Sequence, residues 1–448
     1  MPARSTARRA RMPRPLVRRL VERLEDRTAT VAVIGQGYVG LSVAAGAATV
    51  GMRVHGVDAD PDRIAGLTAG RNVVPGVSDE VVALAIETGR LTFGTDPAVV
   101  TEADVVLVCV PTPVHEHRPD LRWIESAGRD IAPHLHPGAL VILESTTYPG
   151  TTEQVLQPLL EAGGLRAGRD FLLGYSPERI DPGNPKYGLA NTPRVVGGLD
   201  TDSTRASAAF YAQVVEEVMP LSSLRAAEMA KLLENTFRMV NIALVNELAM
   251  LCAEQGIDTW EVIDAAATKP FGFMPFSPGP GVGGHCIPLD PTYLAWQSRR
   301  DTGKPFRMVE MAQDINAGMP EYVTRRVIDA LGRHGLAITG ARLLVLGVTY
   351  KPNVGDVRES AAIEVIAQLA RRGAKVSYHD PYVPRIDEHG VTLTRKALTP
   401  RAIAEADAVL LLTPHDSYDI DALADQARLL FDARGAARHR AGPTVEVL

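Results

Sequence analysis

The residues best suited to chemistry lie in one stretch, Gly279-Pro280-Gly281-Val282-Gly283-Gly284-His285-Cys286-Ile287-Pro288-Leu289-Asp290-Pro291. Four glycines within six residues let backbone approach a ligand where side chains would clash. Prolines fix the exits of the loop. A thiol in a rigid, glycine-lined pocket is a candidate covalent nucleophile, and Asp290 places a carboxylate four residues beyond Cys286. Taken alone, the stretch also reads as a structural turn around a small buried thiol.

A second constellation opens the chain. Thr30-Val31-Ala32-Val33-Ile34 is a short β-branched apolar run, predicted as a buried strand. Gly35-Gln36-Gly37-Tyr38-Val39-Gly40 follows, then a helical stretch from Leu41 to Val50, then a strand from Arg53 to Asp58. Strand, glycine-rich turn, helix, strand and acid form the dinucleotide fingerprint in its proper context. Gly35 permits the tight turn, Gly37 lets backbone reach a pyrophosphate, and Gly40 allows helix and strand to pack closely. Asp58 is placed to bond a ribose 2′-hydroxyl and to repel a 2′-phosphate, which favours NAD over NADP. Arg63 is placed to stack on or bond the adenosine end.

Further βα units continue the domain. Predicted strands at 104–110 and 139–143 end in Pro111-Thr112-Pro113 and Glu144-Ser145-Thr146. Ligands gather at the carboxyl ends of strands in open α/β sheets, so Thr112, Ser145 and Thr146 are placed to touch cofactor or substrate. Ordinary turn polarity is the alternative for each. The strand at Phe171 runs into Ser176-Pro177-Glu178, and Glu178 reads as a candidate base or as a solvated loop acid. Cys109 falls inside a strand and reads as core. His115 and His117 read as solvated.

From Ser222 to Gln255 there is neither proline nor glycine. Ser222 or Ser223 supplies the N-cap and Gly256 the stop, predicting a helix of about 50 Å at 1.5 Å per residue. Lys231 and Asn235 fall one turn apart on it, a spacing that suits a solvated face or the stabilisation of an oxyanion. Leu232, Leu233, Val240, Leu244 and Leu248 form a stripe for core or subunit interface. The aromatic and proline-rich segment 268–280 makes a shaped loop able to cover a planar ring or sugar. Past about residue 335 the βαβ alternation restarts without a GxGxxG, predicting a second doubly wound domain. There Lys351 and Arg358 suit phosphate binding or a surface salt bridge.

The bulk numbers fit a chain of two or three domains. It has 448 residues, 46% hydrophobic and 22% charged, with a net charge of −6. Residues 1–28 carry nine arginines against Glu22, Glu25 and Asp26, a net +6, which leaves −12 for the remainder. An acidic body argues against a nucleic-acid-binding core. The tail reads as a disordered basic arm, or as a mis-assigned start with Met12 the next candidate. Three cysteines without metal-type spacing point to no metal and to a reducing, cytoplasmic setting. No apolar run reads as a membrane span, so no membrane partner is expected.

Oxidising an alcohol to an acid calls for a thiol, because the intermediate aldehyde must be held for a second oxidation. The motifs together resemble the UDP-glucose/GDP-mannose dehydrogenase family over nearly all of residues 29–435. They are Gly35-Gln36-Gly37-Tyr38-Val39-Gly40, Ser145-Thr146, Ser176-Pro177-Glu178, Lys231-Leu232-Leu233-Glu234-Asn235, Gly283-Gly284-His285-Cys286 and Gly355-Asp356-Val357-Arg358-Glu359-Ser360. The resemblance implies an α/β fold: two Rossmann-like doubly wound domains joined by a long central helix and a small helical dimerisation domain. The expected boundaries are 1–28 for the tail, 29–215 for the NAD domain, 216–325 for the central domain and 326–448 for the UDP-sugar domain.

The resemblance also implies roles. Cys286 is the nucleophile, Asp290 assists proton transfer, and Lys231 and Asn235 bind substrate and stabilise the oxyanion. Glu178 and Thr146 position the hydrolytic water, with Glu178 as base. Gly35, Gly37, Tyr38, Val39, Gly40, Asp58, Arg63, Thr112, Ser145 and Arg358 serve NAD, while Gly283 and Lys351 serve the UDP-sugar. Glucose-specific members often carry an arginine before the thiol loop and a second acid four residues after the Pro-Glu. Here 270–280 has no arginine and Pro182 takes the acid's place. Segments 144–152, 264–273 and 284–288 are similar to the branch acting on UDP-N-acetylhexosamines. The expected substrate is therefore UDP-N-acetyl-D-glucosamine, with its C2 and C4 epimers open, and the expected assembly a homodimer or higher homo-oligomer.

Overall fold

The computed structural model describes residues 11–74, 77–115, 118–181, 184, 186–284 and 286–448. His117, Pro182 and His285 lie outside the described residues, as do residues 1–10 of the basic arm. The chain divides into two compact units, residues 1–233 and 234–448.

The first unit is built on one sheet. Its strands are β1 (Thr30–Ile34), β2 (Arg53–Val57), β3 (Leu91–Gly94), β4 (Val105–Val108), β5 (Leu140–Leu143), β6 (Leu172–Tyr175), β7 (Arg194–Gly198) and β8 (Val218–Pro220). They lie side by side in the order 3-2-1-4-5-6-7-8. Strands β1 to β6 run parallel, and β7 with β8 runs against them. The first six strands follow the doubly wound dinucleotide order. Residues of β1, β4, β5 and β6 are buried on both faces, as a sheet covered by helices requires.

The disordered arm expected over residues 1–28 is corrected for the described residues, 11–28. Helix α1 (Arg14–Glu25) buries Val17, Leu20, Val21 and Leu24. These positions share one helical face, and the arginines take the other. Met12 is also buried, and its N–H donates to the Gly168 carbonyl at 2.7 Å. Arg23 forms an ion pair with Asp104, whose other oxygen accepts from the Thr30 N–H at the start of β1. The arginine count concealed an amphipathic helix.

Three further helices matter for function: α2 (Tyr38–Thr49) and α4 (Leu224–Gln255), both where the sequence predicts them, and α3 (Thr201–Tyr211), which the sequence reading did not identify. Ser223 caps α4, its hydroxyl accepting from the Ala226 N–H at 3.2 Å. Gly256 ends it at φ 68°, with the Ile257 N–H returning to the Cys252 carbonyl at 2.9 Å, a glycine-terminated helix stop. By length and composition α4 could cross a membrane, although the sequence shows no such run on reading. Its buried Glu228, Asn235 and Asn246 all accept or donate hydrogen bonds within the protein.

The second unit holds the rest of α4, then α5 (Cys286–Thr302) and α6 (Arg307–Arg333), then a parallel sheet. Its strands are β9 (Arg342–Leu346), β10 (Lys375–His379), β11 (Ala408–Leu411), β12 (Leu430–Asp432) and β13 (Val445–Val447). They lie in the order 10-9-11-12-13, the second common doubly wound arrangement.

Leu24 is wholly buried in α1. Leu24→Ala is expected to cost about 2–5 kcal/mol in urea unfolding. Arg18→Ala, on the exposed face, should change stability by less than about 0.5 kcal/mol. Unchanged stability in the leucine variant would mean that α1 is not docked.

Candidate active site

The nucleotide turn of the first unit fits the pyrophosphate of NAD. Gly35 adopts φ 93°, and a Cβ on Gly40 would lie 1.9 Å from the Gly35 carbonyl oxygen, so neither tolerates a side chain. No side chain caps the N-terminus of α2, where Tyr38, Val39 and Gly40 begin the helix, and space is open over Gly37. A helix N-terminus of this kind favours phosphate. Asp58 is buried and held by three bonds. The Gln36 N–H (2.7 Å) and Arg63 (2.9 Å) bond one oxygen, and the Asp60 N–H (2.9 Å) bonds the other. A carboxylate has about four acceptor sites, so room remains for a ribose hydroxyl. Arg63, expected at the adenosine end, is tied to Asp58.

At the ends of β4 and β5, Thr112 and Ser145 are buried and Thr146 is half-buried. The Ser145 hydroxyl donates to the Val110 carbonyl at 2.7 Å, linking the two strand ends. Cys109 is core as expected; burial beside Glu144 pushes its thiol pKa well up.

Glu178 is not a solvated acid. One oxygen accepts the Arg179 N–H at 2.6 Å and that of Ile180, and the other takes Arg194 Nη1 at 3.0 Å. Arg194 also donates to Ser176 Oγ at 3.0 Å and to Glu144, which in turn accepts from Tyr211. Burial outweighs these partners at Glu144 and raises its pKa. Sequence reading missed Arg194, Glu144 and Tyr211 because their pairing spans three distant segments.

Three polar residues follow along α4. Glu228 accepts from the N–H groups of Gly150 and Thr152 and from the Thr152 hydroxyl. Burial raises its pKa against those bonds. One turn on, Lys231 is more than nine-tenths buried, and among the described residues its ammonium has no hydrogen-bonding partner. One further turn on, Asn235 donates its amide to Asp290.

The second unit corrects the reading of the thiol stretch as a loop throughout. Cys286 is the first residue of α5, with Pro288 and Pro291 in its opening turns. The Thr292 hydroxyl donates to the Pro288 carbonyl at 3.1 Å. Cys286 is exposed, and a helix N-terminus favours its thiolate. Asp290, four residues on, shares its helix face and is buried against Asn235.

The close approach permitted by the glycines is to protein. A Cβ on Gly283 would meet the Glu359 carbonyl oxygen at 2.6 Å, and one on Gly284 the Tyr350 ring at 2.8 Å. The Gly284 N–H donates to the Arg358 carbonyl at 3.0 Å. Asn246 of α4 accepts the Gly279 N–H at 2.9 Å and donates to Asn316 of α6, also at 2.9 Å. The sequence signal for Asn246 was an amide within a mostly apolar helix face.

Arg358 pairs with Asp356 at 2.6 Å, which raises its pKa, and Tyr350 and Cys286 add to its electrostatic surroundings. The turn carrying Lys351 rests on a buried pair. His415 Nδ1 accepts the Asn353 N–H at 2.9 Å, so its Nε2 proton faces Asp380 at 2.9 Å. Burial would raise the Asp380 pKa, but bonds from His415 and from the Val348 and Tyr382 N–H groups hold it below the usual range.

Family models match three successive segments. Residues 29–215 match the NAD binding domain of the UDP-glucose/GDP-mannose dehydrogenase family, 225–318 its central domain and 344–439 its UDP binding domain. A UDP-N-acetyl-D-mannosamine dehydrogenase of Salmonella typhi is 35% identical over 91% of this chain and 99% of its own length. A UDP-N-acetyl-D-glucosamine 6-dehydrogenase of Pseudomonas aeruginosa is 36% identical over 87% of this chain and 91% of its own. The solved UDP-D-ManNAc dehydrogenase of Pyrococcus horikoshii superposes with a TM-score of 0.82 at 32% identity, covering 90% of this chain and 95% of that one. With its nucleotide turn, its thiol-bearing helix and its second doubly wound sheet all matched, the chain belongs to the UDP-glucose/GDP-mannose dehydrogenase family, whose members are NAD-dependent oxidoreductases.

Proposed function

We propose that this enzyme oxidises the C6 hydroxyl of a UDP-N-acetylhexosamine to the carboxylate, in the cytoplasm, through a covalent Cys286 intermediate. One observation carries the reading: an exposed thiol at a helix N-terminus whose next turn presents a buried carboxylate bonded to Asn235.

Bound NAD supplies the hydride acceptor, which the alcohol-to-acid conversion needs twice. Cys286 Sγ adds to the aldehyde carbon, and the charge that develops on oxygen is met by Lys231 and the second amide hydrogen of Asn235. Asp290 holds Asn235 and exchanges the proton moved in addition. After the second oxidation the C6–S link is a thioester. Glu178 takes a proton from the attacking water, which Thr146 helps to position, and Sγ leaves as thiolate. Lys351 holds the UDP-sugar and Arg358 the cofactor, while Gly283 serves by letting the thiol segment pack on the turn that carries them.

The motif segments favour UDP-N-acetyl-D-glucosamine. The relative named for N-acetyl-D-mannosamine, at nearly equal identity, favours its C2 epimer. A second copy of the chain is proposed to cover the face of α4 that exposes Leu233, Leu244 and Leu251. Light scattering reads this directly, and a monomer at micromolar concentration contradicts it.

Purified enzyme with each UDP-sugar in turn should form two NADH per UDP-N-acetylhexosamine consumed. Turnover of UDP-glucose alone would overturn the substrate assignment. Cys286→Ser should lose the full conversion by about a thousandfold or more while still binding NAD. Wild-type rates in that variant would remove the covalent route.

A further inference from the structure

One buried charged group in the first unit is used by no catalytic role above. Arg194, at the start of β7, is buried and has carboxylates on two sides. Nη1 reaches Glu178 at 3.0 Å, Nη2 reaches Glu144, and Nε reaches Ser176 Oγ at 3.0 Å. Its guanidinium lies 4.7 Å from the centroid of the Tyr211 ring, and Tyr211 donates to the other oxygen of Glu144. The Ser176 hydroxyl in turn donates to the Val195 carbonyl at 3.0 Å.

Every polar atom of this arginine is therefore directed by geometry, in the planar fork that a lysine lacks. Removing one partner of a buried charge pair leaves the other uncompensated. Two buried carboxyl groups share one buried cation. Burial raises the pKa of Glu144, and nearby Glu178 adds to that effect. The groups facing Glu178 are Arg194, with Glu144, Tyr211 and Cys109 behind it.

We propose that Arg194 is a positioning residue for the hydrolytic half of the reaction: its Nη1 fixes the orientation of the Glu178 carboxylate, while Glu144 and Ser176 hold the guanidinium in place. This rests on the reading of Glu178 as the base that activates water. With Nη2 and Nε engaged by Glu144 and Ser176, the arginine has one setting, and that setting directs Nη1 at Glu178.

Three variants test it in the holoenzyme: Arg194→Lys, Glu144→Gln and Glu178→Gln. Arg194→Lys keeps the charge but cannot bridge both acids. It should lower kcat about tenfold with KM changed by less than about twofold, and give a burst of NADH formation before a slow steady state. Glu144→Gln leaves Arg194 its bonds to Glu178 and Ser176, so it should lower kcat by less than Arg194→Lys does. Wild-type kcat in Arg194→Lys, or a loss of kcat without the burst, overturns the proposal. If Glu178→Gln shows the burst and Arg194→Lys does not, only the role of Arg194 falls. If Glu178→Gln retains wild-type kcat, the base assignment itself falls, and Arg194 with it.

Discussion

A buried polar group without a hydrogen bond costs about 1–3 kcal/mol, and the helix Leu224–Gln255 meets that demand at Glu228, Asn235 and Asn246. Glu228 satisfies itself on Gly150 and Thr152, Asn235 on Asp290, and Asn246 on Gly279 and Asn316. Each bond fixes the angular setting of the helix relative to its neighbours. Lys231 lies between Glu228 and Asn235 along the helix and is itself buried. The same constraint reaches the thiol, because Asp290 belongs to the helix that Cys286 begins.

The framework was readable in the sequence wherever local periodicity carried it. The strands Thr30–Ile34 and Arg53–Val57, the glycine turn between them and the stops of the long helix all lie where residue type demands. Cys286, Asp290, Lys231 and Asn235 were singled out by spacing and family resemblance together, and the structure pairs Asn235 with Asp290 on the helix that Cys286 begins. Three features escaped. Val17, Leu20, Val21 and Leu24 repeat at helical spacing, a signal hidden by the arginines around them. The Arg194 cluster joins residues far apart in the chain, which no local pattern reveals. The loop glycines appeared shaped for a ligand, whereas in the structure they make way for Tyr350 and Glu359.

That last difference changes how the thiol is understood. Its rigidity comes from packing against the turn that bears Lys351 and Arg358, with the Gly284 N–H bonded to the Arg358 carbonyl. That turn is itself set by the buried His415–Asp380 pair. The chemistry of a cysteine is governed by its thiolate fraction and access. Here exposure, a helix N-terminus and a nearby arginine act together.

The most direct measurement weighs the cysteine itself. Enzyme turning over a UDP-N-acetylhexosamine with NAD is quenched in acid, digested and analysed by mass spectrometry, with Glu178→Gln used to slow hydrolysis. The account predicts that the peptide containing Cys286 gains the mass of the sugar nucleotide joined as an acyl group. Continued product formation with that peptide unmodified at every quench time would contradict it.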